Sequence, residues 1–161
     1  RGEGEGIDDD RRGVQGASDL HPHPVEFEPV VTVKARVLQV REIVPGDTVG
    51  YGASFVADQP MRIAVVALGY ADGYLRSLSN RGVAEVAGRR VPVVGRVSMD
   101  LVTLDISSLE PGSVAQGDWA TMMGGGISLE ELAALGGTIS YELLTALGAR
   151  LQRIYLEGDD G

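Results

Sequence analysis

Cysteine is wholly absent from the 161-residue sequence, so disulfides, thiolate metal sites and cysteine nucleophiles are excluded. Lysine is almost absent: of the fourteen basic residues thirteen are Arg, and only Lys34 is Lys. Chemistry that needs a lysine amine must use that residue or one outside this chain. No apolar run approaches the ~18–20 residues of a membrane span and nothing resembles a signal peptide. No membrane partner is therefore expected, and a cytoplasmic location is the default. The formal net charge of −9 speaks against a phosphate-backbone surface, so nucleic acid is set aside as a partner. Histidine is limited to His21 and His23, and two unsupported imidazoles rarely hold an ion, so no metal site is expected.

The length suits one domain, since domains of ~100–150 residues are common. An apolar fraction of 43% is ordinary for a globular core. Residues 1–28 differ from the rest. Arg1 to Gly16 is rich in Gly, Asp and Arg and too poor in apolar groups to offset its ordering entropy. His21-Pro22-His23-Pro24 continues it as an extended segment. These residues read as a flexible linker or the trailing edge of a preceding domain, residues 29–158 as the folded domain, and residues 159–161 as an acidic tail.

From Val31 to Val37 apolar residues alternate with Thr, Lys and Arg, the period of a half-buried strand. Val44-Pro45-Gly46-Asp47 is a turn, and Met61–Leu68 a more fully apolar strand. Short strands are expected near 83–87 and 90–94, then over Val97–Ile106, Asp118–Met123 and finally Leu151–Leu156. Ser128-Leu129-Glu130-Glu131 reads as a capping box opening a helix that Gly136 and Gly137 end. Ser140 is expected to cap a second helix, Tyr141–Leu147, stopped by Gly148. Seven or so strands with closely spaced turns make the fold mainly β, a small closed barrel or a sandwich. The expected form is a closed, Greek-key-like β barrel with two short helices near the C-terminus.

Three segments place reactive groups where a strand pattern does not need them: Gly50-Tyr51-Gly52-Ala53, Gly69-Tyr70-Ala71-Asp72-Gly73-Tyr74-Leu75-Arg76, and Gly95-Arg96-Val97-Ser98-Met99-Asp100. Glycine beside Tyr or Arg lets backbone approach a ligand or another chain closely. The plainer reading is loop tyrosines with their hydroxyls in water.

The order of these motifs, followed by Gly137-Thr138-Ile139-Ser140-Tyr141-Glu142, closely resembles the carboxy-terminal domain of alanine racemases, from about Val30 to Tyr155. The resemblance implies an enzyme that interconverts L- and D-alanine with pyridoxal phosphate. In that family a β/α barrel holds the cofactor through a lysine, and the β domain of the second subunit of a homodimer closes over it. Two bases on opposite faces of the substrate α-carbon share the work. By resemblance Tyr51 is the base opposite the lysine, the Met99 backbone N–H binds the substrate carboxylate, and Tyr141 hydrogen-bonds the cofactor phosphate. Tyr70, Arg76 and Arg96 correspond to residues lining the passage to the active site. For the two arginines, an ordinary salt bridge at a subunit contact is the competing reading. Asp72 and Asp100 read as turn and scaffold carboxylates.

A phenol sits about three pKa units above neutrality, a handicap of ~4 kcal/mol for a base, so Tyr51 is expected to stay protonated in this chain alone. Lys34 lies on the polar side of an alternating strand, where its ammonium stays protonated. The chain without a barrel is therefore expected neither to bind the cofactor covalently nor to racemise alanine. Gly124-Gly125-Gly126 is read as a turn rather than a phosphate cradle. The alternatives are a racemase of serine or of a broader amino-acid range, and a β module that binds a partner protein without catalysis.

Overall fold

The fold is described here from a computed structural model, which covers residues 31–156. The linker read at residues 1–28, with His21 and His23, and the acidic tail at 159–161 lie outside the described residues. Among the described residues eight strands form: β1 (Val33–Ile43), β2 (Thr48–Val49), β3 (Phe55–Val56), β4 (Met61–Val66), β5 (Val83–Val86), β6 (Arg89–Val94), β7 (Val102–Asp105) and β8 (Trp119–Met123). Six close into an antiparallel barrel in the order β1-β4-β7-β6-β5-β8, while β2 and β3 pair as a separate two-stranded arm. Strands β5, β6 and β7 follow one another around the wall and β8 returns beside β5, which is the Greek key expected from the sequence.

Strand β1 is long because it serves two neighbours. Val33–Arg36 pair with β8 and Val37–Ile43 with β4, with register shifts at Val33/Lys34 and Val37/Gln39. Such irregularities bend a strand around a barrel corner. The alternation read in the sequence appears as buried Val33, Ala35 and Val37 against exposed Lys34, Arg36 and Leu38. Strand β4 buries both faces, which explains its nearly continuous apolar run. Ala64 and Val66 face the main core, and Ile63 joins a smaller cluster with Ile43, Val49, Ala57, Met61 and Val94. That cluster, with Phe55 packed on it, holds the β2–β3 arm against the barrel.

Helix α1 (Leu129–Leu135) starts as expected, the Ser128 hydroxyl accepting the Glu131 N–H at 3.1 Å. The capping box is only half formed, because the Glu131 carboxylate turns to Arg90 instead. Helix α2 (Ser140–Thr145) differs from its expected form. Ile139 is the N-cap, Ser140 is already helical, and the helix stops before Leu147. It ends early because Gly148 N–H donates to the Asp72 carbonyl at 3.0 Å, pulling the chain away from the helix axis. Leu132 and Leu143 carry the two helices into the main core.

Two strand expectations are corrected. Only Val102–Asp105 of the stretch Val97–Ile106 is a strand, because Ser98 and Leu101 close a turn, Ser98 N–H donating to Leu101 O at 3.1 Å. Leu151–Leu156 forms none, because a closed barrel has no free edge for a further strand to join. Among the described residues no helix is long and apolar enough to cross a membrane.

Tyr74 is buried at 2% exposure, and no described group hydrogen-bonds its hydroxyl. An unsatisfied buried hydroxyl costs about 1–3 kcal/mol, so Tyr74→Phe is expected to gain about 1 kcal/mol in urea unfolding at neutral pH. Burial also holds the Tyr74 pKa above the usual tyrosine range. The unfolded chain then releases this proton first, and stability falls as pH rises above about 10. Tyr74→Phe should remove that part of the alkaline loss. Equal alkaline losses in parent and variant would contradict the assignment.

Candidate active site

Two loops at one end of the barrel meet through their backbones. The first leaves β4 through Gly69 into a 3-10 turn, Tyr70–Asp72, and then a second turn, Arg76–Leu78. The other runs from Gly95 to Leu101 between β6 and β7. Tyr70 N–H donates to Ser98 O and Ala71 N–H to Met99 O, each at 3.0 Å. The approach is so close that a Cβ on Gly69 would lie 2.3 Å from the Met99 carbonyl oxygen. Gly69 has an ordinary extended φ of −154°, so contact rather than strain demands glycine there.

This contact sets a direction. A trans peptide points its C=O and N–H oppositely, so carbonyls engaged by Tyr70 and Ala71 turn the Met99 and Asp100 amides away from that loop. Among the described residues none accepts either N–H.

Tyr70, Arg76, Arg96, Val97, Ser98 and Met99 line one open concavity of about 380 Å³. Four residues singled out in the sequence thus come together. Arg76 lies over the Tyr70 ring, its Cζ 5.5 Å from the centroid. Among the described residues two guanidiniums and no carboxylate line the concavity, although the chain carries net charge −9. The nearby carboxylates are held by Arg150, a residue the sequence reading did not single out. Its Nη2 is 2.7 Å from Asp100 Oδ1 and its Nε 3.3 Å from Asp72 Oδ1. The Asp100 hydrogen bond first, and the Asp72 charge second, hold this guanidinium above the ordinary arginine range. Buried Asp72 also accepts Gly69 N–H at 3.0 Å, the turn role read for it in the sequence.

The Tyr51–Ala53 turn sits on the same loop. A Cβ on Gly50 would lie 2.7 Å from Arg96 N, and one on Gly52 3.5 Å from Arg96 Nη1. The backbone of Tyr51 is therefore at the Arg96 edge of the concavity; its side chain lies outside the described structure. Asn80, in the turn before β5, bridges the two. Its Oδ1 accepts Gly95 N–H at 2.6 Å and its Nδ2 donates to Ser54 O at 3.3 Å. No sequence pattern flags either Asn80 or Arg150, because their partners are distant in the chain. Tyr141 is not among the lining residues. It stands at the first turn of α2 with 72% exposure.

The residues present do not make a covalent site for pyridoxal phosphate. The sole lysine, Lys34, is exposed on β1 opposite Thr121 and lines no part of the concavity. Among the described residues no cluster of three metal-ligating side chains occurs.

Comparison with known proteins decides the family. The sequence model of the alanine racemase C-terminal domain matches residues 30–155. The chain belongs to that family. An alanine racemase of Brucella canis (strain ATCC 23365 / NCTC 10854 / RM-666) is 51% identical over 105 residues, which are 65% of this chain and 26% of that protein. One from Methylobacterium sp. (strain 4-46) is 48% identical over 134 residues, 83% of this chain and 37% of the relative. The crystal structure of alanine racemase from Bartonella henselae with covalently bound pyridoxal phosphate superposes with a TM-score of 0.78 at 41% identity. The match covers 84% of this chain and 37% of that one. The chain thus spans only 26% to 37% of the length of these relatives.

Gly69→Ala tests how the domain holds its loops. The added methyl meets backbone, which cannot rotate away, so a loss of about 1–3 kcal/mol in urea unfolding is expected. A change within about 0.5 kcal/mol, the usual range at uninvolved surface positions, would contradict the close contact.

Proposed function

We propose that this chain is the carboxy-terminal half-site of an enzyme that interconverts L- and D-alanine. In this reading Tyr51 and Met99 are donated to an active site completed by the β/α barrel of a second subunit. The observation that carries the reading is the meeting of the 69–76 and 95–101 loops around one positively charged concavity, with the 50–53 turn against Arg96, in a chain of this family. A carboxylate suits that concavity: Arg76 and Arg96 supply long-range attraction, and the Met99 amide, turned away from the Tyr70 loop, supplies a fixed donor. The donor is backbone, so Met99→Leu is tolerated.

Pyridoxal phosphate, held by a lysine of the barrel, supplies the electron sink that makes an amino-acid α-proton labile. This chain's part is proton handling and placement. The Tyr51 hydroxyl takes or returns the α-proton on the face opposite the lysine. It needs a cationic neighbour to work as a base near neutral pH, because its ordinary pKa costs ~4 kcal/mol there. Tyr141 donates to the cofactor phosphate, and Tyr70 narrows the approach. Met99, Leu101, Ile139 and Tyr141 are exposed, side chains that a partner domain would cover. Substrate breadth, including serine, is set mainly by the barrel. A cytoplasmic location goes with this reading, as does residues 1–28 joining the barrel to the domain at 29–158.

A chimera in which this chain replaces the matching domain of an active alanine racemase tests the proposal. It should racemise L-alanine with pyridoxal phosphate, and Tyr51→Phe should lower kcat about 100-fold or more, the usual worth of a general base. A folded chimera that dimerises without racemising would favour the non-catalytic module.

A further inference from the structure

We infer that Asn80 is a positioning residue for the Tyr51 turn, coupling it to the loop that carries Arg96 and Met99. The inference rests on the catalytic reading of Tyr51 given above. Among the described residues the turn is held by the close approach of Gly50 to the Arg96 backbone and by few side-chain bonds. Gly50, Gly52 and Ala53 all have left-handed φ, at 80°, 76° and 53°. The arm carrying them is short: β2 and β3 pair through only Thr48↔Val56 and Val49↔Phe55. The small cluster takes in Val49 and Phe55, the pair that flanks the turn, but none of residues 50–54. Among the described residues, the Asn80 amide makes the one side-chain hydrogen bond to residues 50–54.

The chemistry of the partners fixes which way this amide faces. Gly95 N–H can only donate, so it requires Oδ1, and Ser54 C=O can only accept, so it requires Nδ2. Asn80 N–H closes the contact from its own backbone, donating to Gly95 O at 3.2 Å. Asn80 itself has φ 56°, a conformation that glycine, asparagine and aspartate tolerate best. Of these three, only asparagine offers both a donor and an acceptor. Glycine would satisfy the backbone and give up both side-chain bonds. Aspartate would keep the acceptor for Gly95 without the donor to Ser54. The residue therefore suits a bridge better than it suits a turn.

A base misplaced by an ångström slows the reaction far more than the strength of one hydrogen bond would suggest. Asn80→Asp is the selective test, because it leaves the bond to Gly95 and the backbone conformation in place. Backbone 15N relaxation of this chain should show lower order parameters at Gly52, Ala53 and Ser54, with Gly95 and Val97 unchanged. In the active chimera, kcat/KM should fall about tenfold. The α-deuterium isotope effect should grow in only one direction of racemisation, that in which Tyr51 removes the proton. A merely structural role would change both directions alike. Asn80→Gly should show the same asymmetry with added motion at Gly95. Unchanged order parameters at 52–54 in Asn80→Asp, or isotope effects that move equally in both directions, would overturn the inference. An inactive parent chimera would instead sink the catalytic reading, and the order parameters would still decide whether Asn80 holds the turn.

Discussion

Two backbone hydrogen bonds, from Tyr70 to Ser98 and from Ala71 to Met99, are the constraint on which the site depends. They need no particular side chains, only a place where two chains approach closer than a Cβ permits. Gly69 provides it. Once the carbonyls of Ser98 and Met99 are engaged on one side, planarity of the peptide turns the next two amides to the other. The same contact brings Tyr70 and Arg76 from one loop beside Arg96 and Met99 from the other. Two cations then share a wall without either being buried at the cost of desolvation.

The electrostatics of that wall depend on a group outside it. Asp72 and Asp100 each stand next to residues of the concavity and would weaken its attraction for an anion. Arg150 takes both. It reaches them because α2 ends at Thr145 and the chain turns back over Asp72 through Gly148. An early helix end, which contributes nothing to the core, thus has a consequence for the charge of the site. The exposed position of Arg150 makes its direct contribution to stability small. Its effect is on the field around the Met99 amide and on how firmly the two loops stay together.

The barrel was legible in the sequence because its signals are local. Alternation in β1, the doubly apolar run of β4 and the Ser128 cap each follow from residues adjacent in the chain. The errors arose where a distant contact prevailed. Val97–Leu101 alternates like a strand, yet its carbonyls are taken by Tyr70 and Ala71. Leu151–Leu156 has a strand's composition but no edge to join. The β2–β3 arm went unread because two-residue strands carry no period. The site followed the same division. Tyr51, Tyr70, Arg76, Arg96 and Met99 stood out beside glycines in recognisable motifs. Asn80 and Arg150 did not, since what they do is visible only once residues 26 and 50 positions away are brought beside them.

Amide hydrogen exchange of the 161-residue chain, followed residue by residue, tests the central constraint most directly. The Tyr70 and Ala71 amides, each bonded to a carbonyl of the opposing loop, should exchange slowly, while those of Met99 and Asp100 exchange fast. Slow exchange at Met99 together with fast exchange at Tyr70 and Ala71 would mean that the loops face each other differently. The carboxylate contact proposed for the Met99 amide would then have no donor there.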